Sequence, residues 1–476
     1  MELPIIEYLI KLEESNVASF HVPGHKNGKI FKNFNHLFHK LSSIDTTEIP
    51  GNDNLHYPTG IIKDSLEIAK EVFKSNETFY LINGSTSGIY SMIMAVTSPG
   101  DKIIINRNCH QSVIHACVLG ELSPIYVYPN IDLKTGIPLE ICPEEIEKQI
   151  LSNMDAKAIL ITYPTYEGVA SDLKKIAEIT HKYDKILLVD EAHGAHLGLS
   201  DDLPMTALEC GADVVVQSTH KTLSALTQGA MLHVQGNKID IDKLKFMLRM
   251  HQSSSPSYIL MASLEFAVMM YKNYGPALMN RLLLNIKDFQ KSMLDISSIG
   301  LYTVNLKGQH NIFSHDSTKL FLYSKDNEFS GIWLETHLRD KYNIQMELSN
   351  LNGALAIASI ANDKNDFDKL LNALYNLDKQ KSGKVRVSSY LNSYPTVYQK
   401  LKPREAIYSQ KRRIEVKRSI GHISGEFITP YPPGIPLIIP GEVITEEVVQ
   451  YLFHGLKTGI NIVGLKDKMF EYIEVI

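Results

Sequence analysis

Residues 213–221 read Asp-Val-Val-Val-Gln-Ser-Thr-His-Lys, and this stretch decides the fold. The β-branched run 213–217 is too short for a helix and is typical of a buried strand in a parallel sheet. Lys221 lies just past this strand, where packing alone gives little reason for a lysine. With Ser218 and His220 beside it, Lys221 has the arrangement needed to carry pyridoxal phosphate as a Schiff base. Taken alone, the stretch also fits a surface lysine at a strand end, since short motifs often match by chance.

The sequence on either side alternates between short apolar runs and helical stretches. This alternation predicts an α/β fold with a mostly parallel sheet covered by helices on both faces. We predict strands at residues 79–82, 102–105, 125–128, 158–162, 185–189 and 213–217. Ligands of such sheets bind beyond the carboxyl ends of the strands. Largely polar segments follow five of these strands, so we expect them to converge; they are residues 83–88, 106–110, 163–166, 190–193 and 218–221.

The bulk composition limits the class of protein. A chain of 476 residues with 44% apolar and 21% charged residues predicts an ordinary soluble protein of two or three domains. A net charge of −5 gives no reason to expect a nucleic-acid partner. We expect no signal peptide, since the first residues have no basic region and no cleavage signature, and no apolar run approaches the ~18 residues of a membrane span. The cysteines show no C-x-x-C pairing, so we expect buried, reduced thiols in a cytoplasmic protein; they are Cys109, Cys117, Cys142 and Cys210.

Three consecutive hydroxyl side chains lie between two glycines ahead of a helix expected at 89–97. Ser85, Thr86 and Ser87, together with the free N–H groups of a helix start, predict a phosphate-binding cradle. Ordinary N-capping is the alternative, although three hydroxyls exceed what a cap requires.

Asp190 follows the strand expected at 185–189. A carboxylate in that position is costly unless it is paired, and the nitrogen of a pyridinium ring is a suitable partner. A helix N-cap and a magnesium ligand are the alternatives. His110 follows another strand and could stack on a ring, although a lone histidine is more often structural. His193 and His196 lack the helical spacing of a zinc site, so we expect no metal.

The remaining sequence predicts the domain organisation. We expect a helix at 4–14, loops in 21–75, and a long helix at 260–290 that is interrupted near Gly275. A second α/β region follows, with strands at 318–323, 344–347 and 354–360 and helices at 330–341 and 363–377. A polar linker at 378–384 precedes a turn-rich end. The predicted domains are an N-terminal helical arm (1–20), a large cofactor-binding domain (21–292), a small α/β domain (293–378) and an α+β C-terminal domain (379–476).

Taken together, these motifs resemble the bacterial ornithine/lysine/arginine decarboxylase family, whose core has the aspartate aminotransferase fold. The resemblance covers nearly the whole chain. Its motifs lie at residues 21–26, 84–88, 108–110, 164–168, 190–194, 218–221, 253–258, 431–436 and 440–442. The chain starts directly at the core, so it resembles a short-form member, for which decamers are not expected. Gln111 departs from the pattern, because the family leads us to expect a basic residue there.

The resemblance implies a reaction and a role for each motif. The reaction is decarboxylation of a basic amino acid, namely arginine, lysine or ornithine, to its amine and CO2. Lys221 would hold pyridoxal 5′-phosphate as an internal aldimine, Asp190 would pair with the ring nitrogen, and His110 would stack on the ring. The other implied cofactor contacts are Ser85, Thr86, Ser87, Ser218 and His220 at the phosphate, and His193 near the ring oxygen. The loop 253–256, with Ser255, would reach the site of a partner subunit, which implies a homodimer with sites at the interface.

Several alternatives stay open from the sequence. A pyridoxal phosphate aminotransferase or carbon–sulfur lyase shares the fold, and an aminotransferase would grip the α-carboxylate with an arginine such as Arg404 or Arg386. A catalytically silent homologue is a further alternative. The proton donor to the α-carbon is His220 or Lys221. The acid that binds the substrate's distal cation is not ranked; the candidates are Glu48, Asp53, Glu347 and Glu426.

Overall fold

The computed structural model describes residues 3–15, 19, 21–32, 36–132, 135–302, 312–379, 395, 397–430, 435–458 and 461–476. Within these residues the helices are α1 Pro4–Glu14, α2 His36–Ser43, α3 Ile61–Phe73, α4 Gly84–Val96, α5 Gln111–Leu119, α6 Pro143–Ser152, α7 Leu173–Lys182, α8 Thr219–Thr222, α9 Ile241–His251, α10 Tyr258–Asn273, α11 Gly275–Ser292, α12 Gly331–Tyr342, α13 Lys364–Lys379, α14 Pro403–Tyr408 and α15 Glu446–Thr458.

The strands of the described residues are β1 Glu77–Leu81, β2 Lys102–Asn106, β3 Ser123–Val127, β4 Ala158–Thr162, β5 Val169–Ala170, β6 Ile186–Asp190, β7 Val214–Gln217, β8 Ala230–Val234, β9 Ile299–Leu301, β10 Ser314–His315, β11 Lys319–Ser324, β12 Leu348–Ser349, β13 Gly353–Ile357, β14 Arg412–Glu415, β15 Thr429–Pro430, β16 Ile462–Val463 and β17 Tyr472–Val475.

The main sheet has seven strands in the order β1-β8-β7-β6-β4-β2-β3. β2 is parallel to β3 and to β4, and β6 is parallel to β7. Strand β8 pairs antiparallel with β7 and with β1. The predicted α/β fold with a mostly parallel seven-stranded sheet is therefore confirmed.

The chain divides into two compact units. The first contains residues 1–96, 186–201 and 205–278, and the second contains residues 97–185, 202–204 and 279–476. The four domains expected from the sequence stay a prediction. None of the described helices is long and apolar enough to cross a membrane.

The core of the first unit lies between β1, β8 and the helices α1, α3 and α10. Its buried side chains include Ile5, Ile62, Met231 and Tyr258. The N-terminus of α1 is secured by a side chain far away in the sequence. The backbone N–H groups of Ile5 and Ile6 donate to the Glu265 carboxylate over 3.0 and 2.9 Å, which satisfies donors that a helix start leaves open.

Helix α4 packs unusually closely on the sheet of the first unit because its face carries Gly88. A Cβ at this position would meet Leu81 Cδ1 at 2.6 Å and both Val216 methyl groups at 3.1 Å. Gly84, at the start of α4, has φ +73°, which L side chains rarely adopt and which turns the chain sharply from β1 into the helix. These two glycines bring the first turn of α4 down onto the ends of β1 and β7.

The second unit contains smaller cores. A four-stranded antiparallel sheet has the order β12-β13-β11-β9, and Phe321 and Leu355 are buried in the cluster beneath it. The C-terminal residues build a separate cluster that includes Ile438, Val448 and Ile473.

The structure corrects several sequence expectations. The strand predicted at 344–347 is wrong, because Asn343 ends α12 in the left-handed conformation and pairing resumes only at Leu348. Helix α4 begins at Gly84 rather than at residue 89, so its three hydroxyl residues lie in the first turn. The predicted loop region contains α2 and α3. Cys142 is exposed rather than buried, since it lies at the start of α6.

Candidate active site

Lys221 and His193 meet at the carboxyl ends of β7 and β6. Lys221 lies in the short helix α8, one turn beyond β7, and its Nζ is 2.9 Å from His193 Nε2. His193 is buried, whereas Lys221 is exposed. A lysine ammonium in this contact donates to the imidazole nitrogen, so the lysine amine has a fixed neighbour that can exchange a proton with it.

Asp190 is the last residue of β6 and is 2% exposed. One carboxylate oxygen accepts the N–H of Ala192 over 3.2 Å. Burial raises the pKa of Asp190, and the charge of Lys221 and the Ala192 N–H oppose this rise. A buried carboxylate has lost the water that stabilises its charge. A cationic partner beside Asp190 would replace that lost stabilisation.

Hydroxyl groups from two different strand ends meet beside Lys221. Ser218 Oγ donates to Ser85 Oγ over 2.8 Å, which joins the end of β7 to the first turn of α4. Ser85 and Thr86 are partly exposed, as a ligand contact requires. Ser87 is different, because its hydroxyl donates to Gly84 O over 2.8 Å. Within the predicted cradle, the partly exposed Ser85 and Thr86 are the better-placed hydroxyl donors, whereas the buried Ser218 hydroxyl supports Ser85.

His220 is oriented by the backbone. Its Nδ1 is 2.8 Å from Gly229 O. Burial lowers the pKa of His220, the Gly229 carbonyl opposes this, and the charge of Lys221 adds to it. The neutral ring donates Nδ1–H to Gly229, so Nε2 is an acceptor. His220 would become a donor to a phosphate only when protonated.

His110 belongs to the second unit and caps helix α5. Its Nδ1 accepts the Ser112 N–H over 3.3 Å and lies 2.8 Å from Ser112 Oγ. The loop before it is held by Asn106, which accepts the Thr162 N–H over 2.9 Å and donates to Asn108 over 2.7 Å. His110 is therefore presented on a rigid loop.

A buried ion pair that sequence reasoning missed also holds this loop. Arg107 donates to both oxygens of Glu442, from Nε over 2.9 Å and from Nη2 over 2.8 Å, and from Nη1 to Pro436 O over 2.8 Å. Burial alone would lower the pKa of Arg107, but the charge and hydrogen bond of Glu442, with smaller contributions from Tyr126 and Tyr128, raise it overall. The sequence pointed to Glu442, because residues 440–442 are one of the motifs of the family resemblance, but it did not show that Arg107 is its partner.

The predicted partner-reaching loop is exposed in the first unit. Ser253, Ser254 and Ser255 are all exposed, and His56 Nε2 lies 2.8 Å from Ser253 O. Residues 431–434 of the Pro-rich motif lie outside the described residues, as does Arg386.

Three of the four acids considered for the distal cation already have hydrogen-bond partners. Asp53 accepts backbone N–H groups from the start of α3 and from the turn before it; the donors are Asn54, Thr59, Gly60, Ile62 and Lys63. Burial would raise the pKa of Asp53, but these hydrogen bonds together lower it. Glu426 accepts the N–H groups of Lys466 and Glu474. Glu347 is exposed and accepts the Tyr166 hydroxyl.

Glu48 is the fourth acid and differs from the others. Its Oε1 is buried with no hydrogen-bond partner within the described part of the chain. Arg404, the arginine considered for an aminotransferase, is also engaged, because Nη1 donates to Val118 O and Leu119 O at the end of α5. No cluster of three or more metal-ligating side chains is present among the residues the structure describes.

Comparison with known proteins identifies relatives along the chain. Residues 3–366 match the model of the Orn/Lys/Arg decarboxylase major domain, and residues 389–466 match that of the C-terminal domain. The chain is 36% identical to an arginine decarboxylase of Bacillus subtilis, over 100% of this chain and 98% of the relative.

Two solved structures are similar in fold. A lysine decarboxylase of Francisella novicida superposes with a TM-score of 0.85 at 22% identity, covering 100% of this chain and 81% of that one. An alanine–glyoxylate aminotransferase of a Nostoc species superposes with a TM-score of 0.54 at 14% identity, covering 66% of this chain and 86% of that one. The predicted aminotransferase-like fold is therefore confirmed.

Proposed function

This chain belongs to the Orn/Lys/Arg decarboxylase family and is an amino acid decarboxylase, and we propose that it removes the α-carboxyl group of arginine with pyridoxal 5′-phosphate held at Lys221. The observation that carries this proposal is the convergence of Lys221, Asp190 and the Ser85–Ser218 pair at three strand ends of one compact unit. Arginine is favoured over lysine and ornithine because the relative that matches the whole chain at 36% identity is an arginine decarboxylase.

The donor set fits the proposed cofactor. A phosphate requires several hydrogen-bond donors, and the hydroxyls of Ser85, Thr86 and Ser218 lie beside the open N–H groups at the start of α4. A protonated ring nitrogen requires a carboxylate, and Asp190 is a buried one whose pKa is raised by burial. An aldehyde requires an amine, and Lys221 is exposed within reach of His193.

When bound, pyridoxal phosphate supplies an electron sink for the pair left on the α-carbon as the carboxylate departs as CO2. Asp190 stabilises positive charge on the ring nitrogen and so strengthens that sink. From the family resemblance alone, we propose that His110 packs on the ring face.

Proton movement falls to Lys221 and His193. When not bonded to the cofactor, Lys221 Nζ would carry a proton beside His193 Nε2. We propose that Lys221 delivers this proton to the α-carbon, and that His193 can exchange a proton with Lys221. His220 is a weaker donor because its neutral ring already donates Nδ1–H to Gly229.

Glu48 is the acid we propose for the guanidinium of the substrate. It is the one candidate of the four with a buried carboxylate oxygen that no described residue binds. A buried acceptor of this kind is costly unless a ligand supplies a donor.

We also propose a homodimer in the cytoplasm. The exposed serines 253–255 form the loop that the family resemblance directs toward a partner subunit. None of the four cysteines forms a disulfide, which fits a reducing compartment.

The test uses the purified protein supplied with pyridoxal phosphate and, separately, with arginine, lysine and ornithine. We expect CO2 and the matching amine, most rapidly from arginine, and a visible absorption band from the bound cofactor. Lys221→Ala should lose both the band and turnover, whereas Lys182→Ala, which removes an exposed lysine of α7, serves as the matched control. Formation of a keto acid instead of CO2 would support the aminotransferase alternative and overturn the proposal.

A further inference from the structure

A continuous chain of buried hydrogen bonds crosses the sheet of the first unit. Gln217 Nε2 donates to Glu191 Oε2 over 2.7 Å, and Gln217 Oε1 lies 3.2 Å from His233 Nε2. His233 Nδ1 lies 2.9 Å from Thr78 Oγ1, which lies 2.7 Å from Ser75 Oγ. All five side chains are buried. This hydrogen-bond chain therefore links the ends of β6 and β7 to β8 and β1.

The chain lies on the face of the sheet opposite Asp190. Thr78 and His233 are cross-strand partners, as are His233 and Val215, so all three share one face. Gln217 lies two residues beyond Val215 and shares that face, since side chains alternate along a strand. Asp190 pairs in register with Val216 and so points to the other face. The two strand ends thus carry the proposed site on one side and the hydrogen-bond chain on the other.

The bond directions in this hydrogen-bond chain follow from the orientation of the Gln217 amide and from a neutral His233 ring. Burial lowers the pKa of His233 to about 3, so its ring is neutral and has one N–H. Because the Gln217 amide group donates to Glu191, its oxygen must accept His233 Nε2–H. His233 Nδ1 then accepts the Thr78 hydroxyl proton. When all donors in such a hydrogen-bond chain point the same way, each side chain is held in one rotamer, and each hydrogen bond strengthens the next by polarisation.

We propose that Gln217 and Glu191 are positioning residues for the decarboxylation, an inference that rests on the proposed function. Glu191 directly follows Asp190, and Gln217 directly precedes Ser218. The Glu191 N–H also donates to Val216 O over 2.9 Å, and the bond between the Glu191 and Gln217 side chains adds to this backbone bond in holding the two strand ends at one separation. That separation sets the distance between the carboxylate at one end of the cofactor and Lys221 at the other. Glu191 is held independently as well, because its Oε1 accepts the Ala207 N–H over 2.7 Å.

Gln217→Met is the decisive variant because methionine keeps the length of the side chain but cannot bridge Glu191 and His233. Apoprotein is titrated with pyridoxal phosphate, and the absorption band of the bound cofactor is followed with pH. We expect the cofactor Kd to rise about tenfold and the midpoint of the band's pH titration to shift. For the loaded enzyme, kcat for arginine should fall while KM is unchanged, since Gln217 does not touch the substrate.

Tyr80→Phe is the matched control. The Tyr80 hydroxyl makes a buried 2.8 Å hydrogen bond to Ser65. Tyr80 lies on the same face of β1 as Thr78, but its hydrogen bond is not part of the hydrogen-bond chain. We expect Tyr80→Phe to lower thermal stability and to leave the band, the cofactor Kd and kcat unchanged. Thr78→Val opens the chain at its far end and decides the question if Gln217→Met does not fold; it should shift the band's titration in the same direction by a smaller amount.

The outcomes separate this inference from the function it rests on. A wild-type protein that binds no pyridoxal phosphate overturns the proposed function and this inference with it. A wild-type protein with a normal band, combined with an unchanged band and kcat in Gln217→Met, overturns the positioning role alone. Equal shifts in Gln217→Met and Tyr80→Phe would do the same, because they would reduce the chain to general packing.

Discussion

Gly88→Ala tests whether the close packing of α4 on the sheet positions the phosphate cradle. The added Cβ would lie 2.6 Å from Leu81 Cδ1 and 3.1 Å from Cγ1 and Cγ2 of Val216. The contact with Leu81 is 0.8 Å short of the 3.4 Å at which ordinary van der Waals contact begins. Val216 cannot rotate out of the way, because both of its methyl groups face the new atom and a β-branched side chain is stiff. Helix α4 must therefore lift from the sheet.

The lift acts directly on the cradle. Ser85 lies one turn before Gly88 in the same helix, whereas Ser218 is fixed at the end of β7. A rise of several tenths of an ångström stretches their 2.8 Å contact and moves the α4 N–H groups away from Ser218. Overpacking of this kind costs about 1–3 kcal/mol of folding free energy. Weakening one charge-assisted hydrogen bond to the phosphate should reduce affinity about tenfold.

The assay compares two ligands that differ only in the phosphate. Apoprotein of wild type and Gly88→Ala is titrated with pyridoxal phosphate and with pyridoxal, and the visible band gives each Kd. We expect Gly88→Ala to weaken pyridoxal phosphate about tenfold and to leave pyridoxal within about twofold of wild type. Lys221 and Asp190 are not displaced by the lift, so the ring end of the site keeps its affinity.

A rescue variant makes the prediction specific. Leu81→Ala removes the atom that the new Cβ would meet first, so the double variant should recover part of the lost phosphate affinity even though Leu81→Ala alone destabilises the core. An equal loss of affinity for both ligands would refute the reasoning, because it would mean that Gly88→Ala disturbs the whole site. A double variant that is merely the sum of the two single variants would also contradict it.

Four further predictions follow from individual contacts. Asp190→Asn should bind pyridoxal phosphate but lose at least about a hundredfold in kcat, since charge stabilisation at the ring nitrogen is removed; steady-state CO2 release measures this, and a wild-type kcat would contradict it. Arg107→Leu should destabilise the protein by about 3–5 kcal/mol, and Arg107→Leu with Glu442→Leu by less, because the single change strands a buried carboxylate; thermal unfolding of both variants checks the order. Glu48→Gln should raise KM for arginine about tenfold with an unchanged cofactor Kd, and an unchanged KM would exclude Glu48 from the substrate pocket. His233 has a folded-state pKa of about 3 against 6.5 unfolded, so the unfolded chain binds the extra proton and stability falls as pH drops below 6.5; at pH 5 this costs about 2 kcal/mol, and His233→Gln should show a smaller loss of melting temperature between pH 7 and pH 5.

The sequence was most informative where a local pattern and a chemical requirement coincided. The β-branched residues of the apolar run 213–217 predict a strand. Lys221 follows that strand closely, in the short helix that begins at Thr219. Asp190 was recognised in the same way, as a charge at the end of an apolar strand. The structure brings both ends together, with the charge of Lys221 acting on the pKa of Asp190. Their proximity could be predicted because parallel strands bring their carboxyl ends to one edge.

The sequence was least informative where the partner lies far along the chain. Arg107 looked like an unremarkable loop residue, since Glu442 lies 335 positions away. Strand β8 was missed although Gly229 and Gly236 flank its apolar residues, because its pairing with β1 joins segments far apart in the sequence. The strand expected at 344–347 had suitable composition, but the left-handed turn at Asn343 displaced the pairing to Leu348. Each case was decided by tertiary contacts, which local propensity does not contain.

The alternation of side chains along β6 and β7 explains why the proposed site requires polar residues on both faces of the sheet. A carboxylate at Asp190 and an amine at Lys221 perform chemistry only at one separation, yet strand ends are where a sheet frays most easily. Glu191 directly follows Asp190, and Gln217 lies four residues before Lys221; both point to the opposite face and are joined by a 2.7 Å bond. Packing of apolar side chains would resist separation of the strands but tolerate small sliding, because dispersion is nondirectional. A directional bond between the last residue of β7 and the residue just after β6 resists sliding as well. A polar residue is therefore the better choice in a position that burial alone would assign to leucine.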